Sequence, residues 1–469
     1  MRIKYSYYRD SSISWAGRIP KHWETKRLKH IFRIQKRIVG ELGYNVLSIT
    51  QHGIKVKDIT SGKGQLAMDY SKYQRIYTGE FGMNHMDLLT GYVDISKYDG
   101  VISPDYRVFS QIDNQSDKNY MLRLLQMCYK QKIFFAEGQG AAQLGRWRMP
   151  SDNFKNFLFP VPPKQEQTAI ARFLDYKLAK INRFIRNKKQ LIKLLNEQKA
   201  AIINNAVTKG LDPNVKTKPS GIEWLGHIPI HWEVRKLKFV ANCFPSNIDK
   251  HSKEDEKQVR LCNYTDVYKN DYITDSMDLM LATATDEQIE KFTLLQGDVV
   301  ITKDSETAND IAVPAYVKEP LTKVVCGYHL SVLRPNEKLY GEFLFRVLQC
   351  KEINIQFEIR SNGVTRVGLG VYDLKNAKVP LPPSNEQSQI VEFIFNETVT
   401  INTTISKIEK EIALVEEYKT ALISEAVTGK IDVRAYVIPK HSEEETYEEL
   451  EEELSMVAEG GEKYEIVEY

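Results

Sequence analysis

The side chains best suited to specific recognition lie in two short loops. Residues 138–148 read GQGAAQLGRWR, and residues 360–370 read RSNGVTRVGLG. Arginine, glutamine, asparagine and threonine supply the donors and acceptors that match base edges in a DNA groove, and arginine also binds phosphate. The small residues between them let a backbone come close to a partner. The candidates are Gln139, Gln143, Arg146 and Arg148 in the first loop. In the second they are Arg360, Asn362, Thr365 and Arg366, with Arg146 and Arg366 at equivalent positions. Lys55, Lys57 and Lys303 are generic phosphate candidates. The plainer alternative is a pair of flexible surface loops carrying ordinary solubilising charge.

Motifs for catalysis are missing where they would be expected. GQGAAQ lacks the last glycine of a dinucleotide fingerprint, and VTGK (427–430) lacks the first glycine of a phosphate loop. The paired prolines stand in VPPK and LPPS rather than after Asn or Asp, as an adenine-N6 methyltransferase would need. Pro104-Asp105 reads as a turn rather than the start of a nuclease motif. His22 and His231 each sit between a proline and Trp-Glu in a repeated frame element, so they read as packing residues. Trp23 and Trp232 read as buried anchors. No metal site, catalytic residue or cofactor is assigned to this chain.

The elements that must position the loops are repeated. SSISWAGRIPKHWETKRLKHI (11–31) aligns with SGIEWLGHIPIHWEVRKLKFV (220–240). PVPPKQEQTAIARF (160–173) aligns with PLPPSNEQSQIVEF (380–393), and EQKAAIINNAVTKGLD (197–212) with EYKTALISEAVTGKID (417–432). The segments between, about 30–159 and 240–379, share little. A duplicated frame around unlike middles suggests one scaffold, related by a pseudo-two-fold axis, that holds two specificities. The linker's pieces also stand at the chain ends, TGKIDVR (428–434) and SSISWAGRIP (11–20), so the repeat is cyclic.

Each PxPP opens a long stretch without proline or glycine. Ile181, Leu195 and Ile202 share one heptad position, with Ile185 and Ile192 on the companion position. In the second copy Ile401, Ile408, Val415 and Leu422 recur every seven residues beside Ile405 and Ile412. This is a narrow coiled-coil seam, and two such helices could pair antiparallel as a ruler. Lys188 falls on the seam, either as a register-setting polar break or, the favoured reading, as a lysine whose stem packs and whose head reaches water. Ser384 and Gln387 have capping-box spacing. The middles mix β-type runs (43–58, 260–273, 294–303) with helical ones (119–129, 342–350), which predicts α+β domains.

Bulk properties agree. A chain of 469 residues, 42% hydrophobic, can build more than one core. No stretch approaches the roughly 20 apolar residues of a membrane span, and MRIKYSYYRDSS lacks a signal-peptide core. Five scattered cysteines suggest neither disulfides nor zinc. These points predict a cytoplasmic protein. The net charge of +3 conceals a tail, 441–469, with twelve Glu and one Lys, so the rest of the chain carries +14. A basic body suits a polyanion.

The doubled order W-x-G-x-IP-x-HW, variable middle, PxPPxxEQ, long helix and AVT-G resembles the specificity subunit of type I restriction–modification systems, the HsdS family. NYTDV (263–267), GDVV (297–300) and GVISPDYRVF (100–109) resemble phrases inside that family's target-recognition domains. The resemblance covers about 11–434. It implies an α+β fold with two target-recognition domains separated by two long antiparallel helices, in an internal pseudo-two-fold, cyclic repeat. The expected limits are 1–160 for the first domain and 161–210 for the first long helix. Residues 211–380 then form the linker and second domain, 381–434 the second long helix, and 435–469 an acidic tail of disorder-prone composition. It further implies that each domain reads half of a bipartite double-stranded DNA site. The helices would set the spacer and dock two methyltransferase (HsdM) subunits carrying S-adenosylmethionine. The resemblance leaves open whether a restriction (HsdR) subunit using ATP and magnesium joins them. The chain itself would be non-catalytic. A competing class is a coiled-coil protein–protein adaptor without sequence-specific DNA binding.

Overall fold

The computed structural model describes residues 4–61, 66–140, 147–363 and 366–438. It divides into two units, one of residues 1–187 with 410–469 and one of residues 188–409. Two long helices, Lys164–Lys209 and Ser384–Val427, each contribute one half to either unit. Their 46 and 44 residues give lengths of roughly 69 and 66 Å. Each helix therefore contributes to two cores.

The repeated phrases build the same joint in each unit. Glu24–Arg27 pairs antiparallel with Leu158–Val161, and Glu233–Lys236 pairs likewise with Lys378–Leu381. The strand carrying the HWE phrase is thus hydrogen-bonded to the strand carrying PxPP. Trp23 and Trp232 are wholly buried beneath these ribbons. The Glu-Gln that follows PxPP explains why both phrases recur together. Glu166 receives Trp23 Nε1 at 2.9 Å and lies 2.8 Å from His22 Nε2, and Glu386 lies 2.8 Å from His231 Nε2. Gln167 accepts the N–H of Asp117 at 2.8 Å and donates to Pro162 O and Gln115 O. Gln387 does the same with Tyr340, Pro382 and Lys338. Asp117 and Tyr340 are the residues preceding helices Lys118–Lys130 and Gly341–Gln349, so each Gln ties a long helix to the start of a variable-domain helix. The capping box expected of Ser384 and Gln387 is absent for this reason. The helix begins at Ser384 itself, and the Gln387 amide is committed to Tyr340, Lys338 and Pro382.

The unlike middles share a sheet order. In the first unit the strands run Phe32–Gln35, Arg107–Gln111, Phe81–Met83, Val93–Ile95, all antiparallel. In the second they run Ala241–Pro245, Leu330–Pro335, Val299–Thr302, Pro314–Val317, with Tyr272–Ile273 added parallel at the edge. Val108 stands opposite Gly82 and Val332 opposite Val300, which fixes a common register. The turn leading into the second of these positions recurs as well. Gly79 and Gly297 both take positive φ. The acid that follows closes the turn: Tyr77 N–H donates to Glu80 and Leu295 N–H to Asp298, and Arg37 and Arg334 each grip that carboxylate. What fills the sheets differs. Phe32, Phe81 and Phe109 cluster with ring centroids about 5 Å apart in the first, where the second uses Val299, Ile301 and Leu333. One expected β-type run, 260–273, is interrupted. Tyr264–Tyr268 is a helical turn because Asn263 and Asp266 form a capping box there.

Heptad positions 178, 181, 185, 188, 192, 195, 199 and 202 on the first long helix are all buried or half-buried. So are 394, 398, 401, 405, 408, 412, 415, 419 and 422 on the second. Within the first unit the helices run antiparallel. Tyr120 Oη lies 3.1 Å from Pro160 O and 3.0 Å from Val427 O, while Lys419 Nζ reaches Asn182 Oδ1 at 2.7 Å. Within the second unit Ile203, Ala206 and Val207 share a core with Ile390, Val391 and Ile394. Lys199, also on the seam, sends its head 3.5 Å from Asp271.

The cyclic character is visible inside each unit. In the second, chain continuity carries the first helix through Gly210 into Thr217–Pro219, which pairs with His227–Pro229. In the first unit the same arrangement forms without covalent connection. Tyr8–Asp10 pairs with Arg18–Pro20, and Tyr8 Oη donates to Gly429 O at 3.1 Å. Gly210 and Gly429 both take positive φ, and a Cβ on Gly429 would fall 2.4 Å from Pro20 Cδ and 3.0 Å from the Trp23 ring. Gly429→Ala is therefore expected to destabilise the first unit by about 2 kcal/mol, from backbone strain plus displacement of a rigid proline. A thermal or urea transition unchanged by the substitution would show that the ends do not close as described.

Candidate nucleic-acid interface

The described residues at the roots of both candidate loops pair in the same way. In the first unit Gln139 and Arg148 exchange backbone hydrogen bonds at 2.9 and 3.0 Å. Both side chains are exposed, while Trp147 packs on Phe135 with centroids 4.7 Å apart and Met149 is buried. Gln143 and Arg146 lie outside the described residues. In the second unit Asn362 and Gly368 exchange bonds at 3.1 and 2.9 Å. Gly363 takes φ +150°, and a Cβ there would meet Arg366 O at 1.9 Å, so the tight return needs glycine. Asn362 and Arg366 are exposed and Arg360 is half-buried. Thr365 lies outside the described residues. A short helix follows each hairpin, Ser151–Asn156 or Val371–Asn376, and leads into the ribbon that carries PxPP. The repeated frame therefore holds each loop by its root.

The lysine candidates separate. Lys303 belongs to the second hairpin's site, for its carbonyl accepts Leu369 N–H at 2.8 Å and its ammonium sits 4.6 Å from the Tyr328 ring centre. Lys55 and Lys57 sit half-buried at the end of a different hairpin, Leu47–Thr50 with Gly53–Val56. Gln51 in its turn donates to Thr90 O, two residues from Leu88, whose N–H donates to Trp147 O.

The corresponding place in the first unit is chemically different. His85 holds Met149 N–H through its carbonyl at 2.9 Å, as Lys303 holds Leu369. His85 is buried, and burial together with the Arg107 and Arg148 guanidiniums pushes its imidazole down to about 3. Arg107 is itself buried, gives one nitrogen to Met149 O at 2.9 Å and stacks over Phe154. By register, Pro104-Asp105 in the first unit occupies the place of Tyr328-His329 in the second. Pro104-Asp105 forms a turn closed by Tyr106 N–H to Ser103 O.

Sequence reading passed over Asp304, Tyr328 and His329. His329 Nδ1 lies 2.8 Å from Asp304 Oδ2, and the Asp304–Ser305 strand pairs with Val367–Gly368 of the hairpin. A polar-aromatic pair immediately before an apolar strand, YHLSVL (328–333), was the available signal. The histidines of the frame serve the Glu166 and Glu386 joints. All five cysteines are buried and unpaired by disulfides, and burial raises their thiols, Cys243 and Cys350 to about 12. Among the described residues no group of three or more His, Cys, Asp or Glu is placed to hold a metal ion. No helix there is long and apolar enough to cross a membrane.

Comparison with known proteins follows the same outline. The family model described as type I restriction modification DNA specificity domain matches residues 20–194 and 229–414. The type I restriction enzyme MjaVIII specificity subunit of Methanocaldococcus jannaschii is 22% identical, covering 92% of this chain and 99% of that protein. The EcoKI specificity subunit of Escherichia coli K12 is 21% identical over 71% of this chain and 68% of its own length. A solved chain from a study of complex assembly and conformational transition of the type I R-M system superposes with a TM-score of 0.63. It is 14% identical and covers 87% of this chain and 98% of its own, a likeness of fold. With the duplicated frame, the common sheet order and two family matches that together span most of the chain, this protein belongs to the type I restriction–modification DNA specificity family and carries two copies of its domain.

Proposed function

We propose that this chain is the DNA-specificity subunit of a type I restriction–modification complex, each variable domain reading one half of a bipartite site. The observation that carries the reading is one scaffold built twice with unlike recognition hairpins at the same root. The chain supplies the address and not the chemistry. Methyltransferase subunits binding S-adenosylmethionine would dock on the long helices and modify adenine. A restriction subunit using ATP and magnesium would complete the assembly. The site of action is wherever the DNA is, the cytoplasm of a prokaryotic cell.

The test is base-resolved methylation sequencing in a methylation-free host that expresses this chain with its methyltransferase. A split motif with N6-methyladenine in both halves, lost when this chain is omitted, is the expected result. A stable complex without sequence preference or salt-sensitive DNA affinity would favour the adaptor reading instead. Gln139, Arg148, Asn362 and Arg366 are the exposed contact candidates. Lys55, Lys57, Arg360 and the positions outside the described residues remain candidates of the same kind. Arg366→Ala is expected to relax one position of the second half-site if it reads a base, by on the order of tenfold or more. Even weakening at every site, with a shallower salt dependence, would make it a phosphate contact. Inserting four residues in a long helix adds about 6 Å, and is expected to lengthen the motif's gap by one or two base pairs. A gap unchanged by the insertion would remove the helices' role as a ruler.

A further inference from the structure

The second domain carries a polar cluster with the build of a reading head. Three segments distant in sequence converge there: Lys303–Ser305, Tyr328-His329 and the 362–368 hairpin. Asp304 links all three. Its backbone pairs with Gly368, its carboxylate holds His329 Nδ1 at 2.8 Å, and Lys303 N–H donates to His329 O at 2.9 Å. Gly368 permits this approach, since a Cβ there would meet Asp304 Oδ1 at 3.1 Å. Tyr328 is about half exposed, packs edge-on against His329 with centroids 4.8 Å apart, and carries the Lys303 ammonium over its face.

This arrangement has consequences for the imidazole. A carboxylate on Nδ1 fixes the ring's orientation and makes Nδ1 the donor, leaving Nε2 as the second ring nitrogen of a side chain that is 39% exposed. Nε2 has no hydrogen-bond partner among the described residues. A carboxylate near a phosphate backbone is unfavourable unless it is engaged, and here it is engaged by the histidine and lies between Lys303 and the hairpin that carries Arg366. The same places in the first domain hold a buried His85 and the Pro104-Asp105 turn, so the scaffold does not require these side chains. Positions that the fold leaves free and the two copies fill differently are where specificity can reside.

We propose that Lys303, Asp304, Tyr328 and His329 form a specificity-determining element that reads one base-pair edge of the half-site taken by the second domain. His329 Nε2 makes the contact, Tyr328 and Lys303 flank it, and Asp304 is its positioning residue. The proposal rests on the reading of this domain as a half-site reader.

The test uses the full chain in complex with its methyltransferase. Competition binding is measured against duplexes in which each base pair of the motif is changed in turn, alongside methylation sequencing. His329→Ala is expected to lower discrimination about tenfold to hundredfold at one position of one half only. Asp304→Asn is expected to relax the same position, and every position of the other half serves as an internal control. Unchanged discrimination in both variants would overturn the proposal. So would a loss spread over the whole second half, which marks a folding role, or relaxation of different positions by the two variants. A wild-type complex with no bipartite preference would instead overturn the underlying function.

Discussion

Glu166→Ala is expected to destabilise the first unit by about 3 kcal/mol, while Glu386→Ala costs the second unit markedly less. Glu166 is the buried hub of the first frame. One oxygen accepts Trp23 Nε1 at 2.9 Å and the Tyr5 hydroxyl, and the other lies 2.8 Å from His22 Nε2. Arg434 covers the Tyr5 ring at 4.9 Å, so the hub also joins the N-terminal segment to the segment that follows the second long helix. Removing it strands two buried donors, and hydrogen bonds to a charged acceptor are each worth roughly 1.5–3 kcal/mol. Glu386 occupies the equivalent position with a weaker commitment. It meets His231 at 2.8 Å, but Trp232 Nε1 is buried without a partner among the described residues, and the Glu386 side chain is 20% exposed against 6% for Glu166. The asymmetry has a physical reason. The second unit's joint is closed by a continuous chain, whereas the first must be closed by contacts. Urea unfolding with a reporter in each unit would measure both; equal costs would show that the hub does not compensate for the missing covalent link.

A second large effect should appear on acidification. His85 is held neutral, its imidazole pushed from 6.5 to about 3, chiefly by burial and then by Arg107 and Arg148. The unfolded chain takes up this proton near pH 6.5 and the folded one does not. Stability from this group is therefore complete above pH 6.5, falls as pH drops, and levels off near 3. The slope is about 1.4 kcal/mol per pH unit, so the loss at pH 4.5 is ~2–3 kcal/mol. His85→Gln, which cannot charge, is expected to flatten this limb. Asp94 acts in the opposite sense, since burial raises its carboxyl, but it contributes equally to both proteins and cancels in their difference. Parallel stability profiles for the two proteins between pH 7 and 4.5 would rule out the buried neutral state.

Both effects rest on groups whose importance was unevenly legible. Trp23, Trp232 and the Glu-Gln after PxPP were visible as repeated letters, but repetition says only that they matter. Their mutual bonding required Glu166 and Trp23, 143 residues apart, to be brought together. His85 gave no signal at all, because a lone histidine in MNHMD becomes notable only once a core closes over it. The Ser384–Gln387 spacing was misleading, since a tertiary partner at Tyr340 outcompeted the local cap. In the 260–273 run, local capping by Asn263 and Asp266 overrode β-type composition.

The sequence by itself determined the duplication, the long helices and their seam, and the family, because these are local periodicities and letter-for-letter repeats that survive without knowledge of contacts. It also singled out the two candidate loops, since glycine and arginine in a fixed relation to PxPP are read directly. Only the tertiary structure decided that the unlike middles share one strand order, that Gly429 and Tyr8 complete without a covalent bond what Gly210 completes within the chain, and that Asp304 and His329 meet beside the second hairpin. Sheet order and side-chain encounters depend on pairings between residues far apart in the chain. Such pairings are selected by burial and register over the whole core, and nothing in a short stretch of residues encodes them.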